Sequence, residues 1–185
     1  MPRAGLTAER VVDEASALVD DHGLAALTLA DLATRLGVRA PSLYKHVSNL
    51  DAVRRAVAVR AKLEFGDALD AAAGELTGDA AVRALAIAYR TWAQQHPGRY
   101  SLTLRAAFPD DEQDVIASTH AVRIMLRVVE PWGLSEAEGI DFVRTLRALL
   151  HGFVTLEEAG AFALPIPVDG SYSRAVDHLI DAHRR

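Results

Sequence analysis

Residues 28–47 read TLADLATRLGVRAPSLYKHV, the pattern of two short helices joined by a tight turn. Thr28 can cap the first helix, because its side-chain oxygen can accept a backbone N–H and Asp31 follows three residues later. Gly37 is the residue type that most easily adopts the left-handed conformation that ends many helices. Pro41 fits the first turn of the second helix, where its missing N–H leaves no hydrogen bond unmade.

The second of these helices has one apolar face and one polar face. Leu43 and Val47, spaced at i and i+4, are predicted to turn inward. The outward residues are then Ser42, Tyr44, Lys45 and His46. A short helix whose exposed face carries a hydroxyl, a phenol, a cation and an imidazole is suited to the major groove of DNA. From these residues alone, an ordinary helical hairpin with a solvated polar face remains the alternative.

The charge distribution favours nucleic acid at one end of the chain, although the net charge is -5. Residues 1–62 contain nine Lys and Arg against seven Asp and Glu, whereas residues 63–185 contain eleven against eighteen. The first part is therefore mildly basic and the remainder acidic. We expect the basic end to face DNA and the acidic end to be repelled from it.

Helical periodicity recurs along the 185-residue chain, and no stretch alternates convincingly as a strand. Ser135 and Glu138 form a capping-box pattern at the start of one long predicted helix. The sequence therefore predicts an all-α fold of about nine helices. We expect a helix-turn-helix head of three helices at residues 1–50, a linking helix at 51–74 and a helical-bundle body at 75–185.

Residues 37–53, GVRAPSLYKHVSNLDAV, resemble the DNA-binding signature of the tetracycline-repressor (TetR) family of bacterial regulators. The resemblance implies that one group of residues touches bases: Arg39, Ala40, Pro41 and Lys45. It implies that a second group holds phosphates: Thr28, Ser42, Tyr44 and His46. Leu50 stands where many relatives carry a phosphate-binding Lys, so that contact is not carried over.

Two segments of the body resemble the TetR-family C-terminal domain that is known by its Trp-His-Gly motif. They are HPGRY at 96–100 and RALLHGFVTLEEAG at 147–160. Leu150 replaces the Trp of that motif, whereas His151 and Gly152 remain. The resemblance implies a ligand-binding bundle whose last two long helices pair with a second copy. The apolar residues that we expect in this homodimer interface are Leu149, Phe153, Leu156, Val176, Leu179 and Ile180.

Aromatic and histidine side chains recur on or near apolar faces of the predicted body helices. They predict a pocket for a small hydrophobic or aromatic effector. Its expected lining is Tyr89, Trp92, His96, Tyr100, Phe108, Ile116 and His120. The alternative is that the histidines are buried with backbone partners and the aromatic residues are plain core. No two of the body histidines at 96, 120 and 151 have metal-ligand spacing, so we expect no metal or cofactor.

The resemblance to the TetR family implies a regulator of transcription that acts as a repressor. We expect it to bind a palindromic double-stranded DNA operator as a homodimer and to leave it when a small hydrophobic ligand binds. No catalytic motif is present, which argues against an enzyme. The absence of cysteines, of a signal-peptide pattern and of a long apolar run predicts a cytoplasmic protein without a membrane span. The alternatives are an activator, a ligand-independent regulator, a helical protein-interaction module or an enzyme.

Overall fold

The computed structural model describes residues 5–183, and this part of the chain contains helices and no strands. The prediction of an all-α fold with about nine helices is confirmed for it. Two short 3₁₀ helices accompany the α-helices, at Leu24–Ala26 and Glu130–Trp132. The α-helices are α1 (Ala8–His22), α2 (Leu29–Leu36), α3 (Ala40–Leu43), α4 (Leu50–Ala73), α5 (Gly78–Gln95), α6 (Pro97–Thr103), α7 (Glu112–Val129), α8 (Glu136–Glu158) and α9 (Val168–His183).

The described chain forms two compact units. The first unit comprises residues 5–62 together with 96–117, and the second comprises residues 63–95 together with 118–183. The helix α4 contributes its first half to one unit and its second half to the other. Residues 96–117, which the sequence reading assigned to the body, thus group with the N-terminal helices.

Local capping explains where several of these helices begin and end. The Thr28 hydroxyl accepts the Asp31 N–H at 3.1 Å, and Asn49 Oδ1 accepts the Ala52 N–H at 2.8 Å. Ser135 and Glu138 form a complete capping box at the start of α8. Gly37 has φ 66°, the left-handed conformation that was predicted at the end of α2.

The second helix of the opening stretch is shorter than its apolar spacing indicated. α3 ends at Leu43, and residues 44–46 form a turn instead of continuing to Val47. The His46 N–H donates to the Leu43 carbonyl at 2.8 Å, a three-residue spacing that tightens the backbone beyond α-helical geometry. Asn49 then caps the next helix, so the chain has little room for another α-helical turn.

The second unit has its core where α5 packs against α8 and α9. The buried Tyr172 hydroxyl donates to the Ala86 carbonyl at 2.6 Å, which joins α9 to α5. Burial raises the pKa of that phenol, so it stays protonated as a donor. Arg90 of α5 pairs with Glu157 of α8 and with Asp169 of α9. None of the described helices is long and apolar enough to cross a membrane.

Candidate nucleic-acid interface

The helix pair α2–α3 is held together by a small apolar contact and one backbone bond. Leu32, Ala33 and Leu43 are buried. After the left-handed Gly37, the Val38 N–H donates to the Ala33 carbonyl at 2.9 Å, which satisfies a carbonyl at the end of α2. The turn therefore sets α3 in a fixed direction with its opposite face free of core contacts.

All eight predicted DNA-contact residues lie in the first unit, around α3 and the start of α2. Arg39, Pro41, Lys45 and Thr28 are exposed, and the Tyr44 side chain is 59% exposed although it is aromatic. The other three, Ala40, Ser42 and His46, are half-buried. The exposed phenol of Tyr44 is therefore accessible to a partner molecule.

Thr28 differs from the other predicted phosphate contacts because its hydroxyl already has two partners. The hydroxyl accepts the Asp31 N–H, and it donates to Asp31 Oδ2 at 2.6 Å. A phosphate at the start of α2 would compete with this carboxylate for the hydroxyl proton. The structure thus gives Thr28 a capping role and leaves a direct phosphate contact as a proposal.

Most arginines and lysines of this unit are paired with carboxylates of the same unit. The Arg35 guanidinium binds Glu14 and Asp21, and its hydrogen bond to Glu14 raises the pKa of Arg35. Four cations on α4 also form ion pairs: Arg54 with Asp51, Arg55 with Asp111, Arg60 with Asp13 and Lys62 with Asp114. These charges are already compensated within the protein.

Arg39 and Lys45 differ from those cations. Both are exposed, and neither has an ion-pair partner among the described residues. They flank α3: Arg39 is its N-cap residue, and Lys45 lies two residues after its last residue, Leu43. A guanidinium can donate two hydrogen bonds to a guanine edge, and an ammonium can bind either a base or a phosphate. The arrangement can therefore bind DNA through a short helix with a free cation at each end.

The predicted effector residues are divided between the two units. Tyr89, Trp92 and His120 belong to the second unit, and the Tyr89 and Trp92 rings pack on Phe65 with centroids 5.0 and 5.2 Å away. Four others belong to the first unit: His96, Tyr100, Phe108 and Ile116. Tyr100 is buried, whereas Phe108 and Ile116 are exposed by 56% and 49%.

Two of the predicted effector histidines, His96 and His120, have carboxylate neighbours. Asp20 Oδ2 lies 3.2 Å from His96 Nδ1. Asp67 Oδ1 lies 2.8 Å from His120 Nε2. A Cβ on Gly66 would come within 2.2 Å of the His120 ring, so this glycine lets α7 approach α4 closely. Both histidines thus contribute to helix packing.

A groove of about 400 Å³ lies beside Trp92 on the second unit. Its volume is in the range of small-molecule sites, and its lining is almost entirely apolar. Thr91 and Gln95 supply its polar groups. The sequence analysis missed this groove, although paired alanines at i and i+4 on two adjacent helices were a signal for it. The remaining lining residues are Ala68, Ala72, Ala84, Ile87 and Ala88.

The predicted dimer residues have unequal exposure. Val176, Leu179 and Ile180 are buried within the single chain. They are covered by α5 and α8 of the same unit, on which α9 packs, and their place in a homodimer interface stays a prediction. The predicted dimer residues on α8 are more accessible than those on α9: Leu149 and Phe153 are half-buried, and Leu156 is 45% exposed.

The described residues contain no group of three or more His, Cys, Asp or Glu side chains that could hold a metal ion.

Residues 11–57 match the model of the bacterial regulatory proteins of the tetR family. Residues 82–179 match the tetracyclin repressor-like C-terminal domain. The two matches cover the helix-turn-helix and most of the second half of the chain. The narrower Trp-His-Gly assignment stays a prediction.

Similar proteins agree with these matches along most of the chain. An HTH-type transcriptional regulator of Bacillus subtilis (strain 168), YobS, is 35% identical over 87% of this chain and 84% of its own length. A Rhodococcus sp. RHA1 protein of unknown function has the same fold, with a TM-score of 0.85, 24% identity and full coverage of both chains. A TetR variant of Acinetobacter baumannii AYE in complex with minocycline has a TM-score of 0.66, 21% identity and 96% coverage of both.

Proposed function

Because the chain belongs to the TetR family of bacterial transcriptional regulators, we propose that it is a repressor that dimerises on a palindromic operator and is released by a small hydrophobic ligand. The family consists of regulators and not of enzymes, as the absence of catalytic motifs predicted. The helical protein-interaction module and the enzyme are thereby set aside as alternatives.

The observation that carries the DNA part of the proposal is the pair of uncompensated cations at α3. Arg39 and Lys45 are exposed without carboxylate partners in the described chain, whereas the cations along α4 are paired. Arg39 at the helix start is placed to donate to base edges, and Lys45 to a base or a phosphate. The exposed Tyr44 hydroxyl and the half-buried Ser42 and His46 would then hold the phosphates that fix the position of α3.

The proposal includes a dimer because a single four-residue helix can contact very few base pairs. Two copies related by a two-fold axis would place two such helices on two half-sites, whose binding free energies add. The exposed Leu156 and the half-buried Leu149 and Phe153 on α8 are the apolar residues that we propose for this contact. Burying them between identical chains would remove apolar surface from water.

The effector part of the proposal is supported by the apolar groove beside Trp92 and by the minocycline complex of the similar TetR variant. We propose that the effector is a mostly apolar molecule that contacts Trp92 within the second unit. The remaining predicted pocket residues stay part of the proposal. A ligand can release the operator only if it binds one conformation of the dimer more tightly than the other.

The test is selection of DNA from a random duplex pool by the purified protein, followed by gel shift with the selected duplex. The proposal expects a palindromic consensus and a complex that contains two chains. A reporter gene behind the selected duplex then gives the sign of regulation, and repression means lower expression when the protein is present. Higher expression would identify an activator instead. Failure to enrich any sequence would contradict the proposed function.

A further inference from the structure

The segment 96–117 is packed against the helix that supports the DNA-reading pair. Gly98, in the first turn of α6, lies so close to α1 that an added Cβ would come within 1.8 Å of the Val19 carbonyl oxygen and 2.5 Å of its carbon. Both are backbone atoms, which cannot move aside as a side chain can. The contact therefore requires glycine, and it sets the backbones of α6 and α1 at a fixed distance.

A charged cluster stabilises the same contact. The Arg99 N–H donates to Asp20 Oδ1 at 2.9 Å, and Arg99 Nε donates to Asp20 Oδ2 at 2.6 Å. The two side chains are 11% and 15% exposed, so the pair is well shielded from water. Arg99 Nη2 lies 2.7 Å from His96 Nδ1. Since a guanidinium can only donate, that ring nitrogen must accept, and the cluster has a defined hydrogen-bond direction.

The adjacent residue of α1 connects this cluster to the reading pair. Asp21 Oδ2 accepts from two Arg35 nitrogens, each at 3.2 Å, and Arg35 belongs to α2. Successive residues at the end of α1 are thus held by α6 on one side and by α2 on the other. α2 carries α3 through the fixed Gly37 turn. A displacement of Arg99 would change the support of α2 without touching any residue that faces DNA.

We propose that Arg99 is a positioning residue for DNA binding, which sets the end of α1 against which α2 and α3 are aligned. The inference rests on the proposed function. By this inference the residues that determine DNA binding extend beyond the helix-turn-helix to Arg99, which lies 79 positions after Asp20 in the sequence. Specific binding needs both reading helices in register with their half-sites, whereas non-specific binding needs only exposed cations. Loss of the contact between Arg99 and Asp20 should therefore weaken specific DNA binding more than non-specific DNA binding.

The experiment uses the full-length protein, the duplex that the parent protein selects from a random pool, and a scrambled duplex of equal length. Arg99→Gln and Asp20→Asn remove the ion pair, and Gly98→Ala forces α6 away from α1 without a change of charge. Arg127→Gln is the matched control, because it removes an Arg–Asp ion pair, with Asp70 at 2.7 Å, that lies within the second unit. Circular dichroism at the assay temperature establishes that each variant is folded.

We call Arg99→Gln, Asp20→Asn and Gly98→Ala the junction variants, because all three alter the contact between α1 and α6. Each should lose about 2- to 30-fold in affinity for the selected duplex. Their affinity for the scrambled duplex should remain that of the parent, and Arg127→Gln should match the parent on both. The double variant Asp20→Asn with Arg99→Gln should lose less than the sum of the two single losses, because both single variants remove the ion pair that the two side chains share.

Unchanged affinity of the junction variants for the selected duplex would overturn the inference. Equal losses on the selected and the scrambled duplex would also overturn it, since they would indicate an unfolded DNA-binding unit and not a misaligned one. Additive losses in the double variant would show that the two residues act separately, which likewise contradicts a shared positioning role. If the parent protein selects no duplex, the proposed function fails. If the parent selects DNA and the variants bind it equally, only this inference fails.

Discussion

The buried ion pair between Lys62 of α4 and Asp114 of α7 allows a quantitative test of what holds the first unit together. Lys62 Nζ lies 2.5 Å from Asp114 Oδ1, and the two side chains are 3% and 0% exposed. The other carboxylate oxygen accepts from Arg105 Nη2 at 3.0 Å and from the Phe108 N–H at 3.1 Å. Burial alone would raise the pKa of Asp114, but these donors outweigh it and lower the pKa below its ordinary value.

The perturbation is Lys62→Met, which keeps most of the side-chain length and removes the charge. Removing one partner of a buried pair costs about 3–5 kcal/mol, because the other charge is left uncompensated. Arg105 and the backbone N–H still face the carboxylate, so we expect the lower end, about 3 kcal/mol. For a chain of this size the melting temperature should fall by about 6–12 °C.

The pH dependence of this effect has a definite sign. A carboxyl whose pKa is depressed by folding stabilises the protein above its unfolded pKa of about 4, and this stabilisation is lost as the pH falls through the lower folded pKa. Lys62→Met removes a donor that lowers the pKa of Asp114. The variant should therefore begin to unfold at a higher pH than the parent during acid titration.

The assay is thermal and acid unfolding followed by circular dichroism. Lys45→Met is the matched control, because Lys45 is exposed and has no ion-pair partner in the described chain, so its loss should change stability by less than about 0.5 kcal/mol. The stabilising role of the pair between Lys62 and Asp114 is refuted if Lys62→Met has the melting temperature of the parent. It is also refuted if the two lysine variants shift equally.

Three further predictions concern other regions. Tyr44→Phe and His46→Ala should each weaken binding to selected and scrambled duplexes alike, by about 1.5–3 kcal/mol per subunit in gel shift, because each loses a hydrogen bond to phosphate; a loss confined to one duplex would argue against this role. Trp92→Ala should lower the free energy of unfolding by about 3–5 kcal/mol in urea titration, because the ring is 7% exposed; an unchanged midpoint would contradict its burial. Leu156→Arg should place like charges in the proposed two-fold contact and shift light scattering toward the monomer. The control Ile87→Arg, at an exposed residue outside that contact, should not.

Features that depend on neighbouring residues could be predicted from the sequence. The Thr28 cap, the left-handed Gly37 and the Ser135 capping box each involve residues a few positions apart, so their chemistry is visible in the chain. The all-α class follows from helical periodicity in the same way. The short α3 was not predicted, because apolar spacing continued through Val47 while the backbone tightened after Leu43.

Features that depend on distant partners could not be read from the sequence. Nothing in the local pattern around Asp20 indicates that it receives Arg99, and the burial of Ile180 depends on how α9 packs. The same limit applies to the basic residues of the first unit. The resemblance singled out Arg39 and Lys45, but only the structure shows that Arg60 is paired with Asp13 whereas those two cations have no ion-pair partner among the described residues. That separation required the fold.

The salt dependence of DNA affinity shows whether the unpaired cations at α3 bind the operator. Affinity for the selected duplex is measured between about 50 and 200 mM salt for the parent, Lys45→Ala and Arg60→Gln. If Lys45 holds one phosphate in each of two subunits, its loss should flatten the slope of log affinity against log salt by about 1.8. If Lys45 reads a base instead, the variant should lose discrimination between the selected and scrambled duplexes. Arg60, already paired with Asp13, should leave both the slope and the discrimination unchanged. A Lys45→Ala variant with the slope and discrimination of the parent, or an Arg60→Gln variant that changes them as much, would contradict the account.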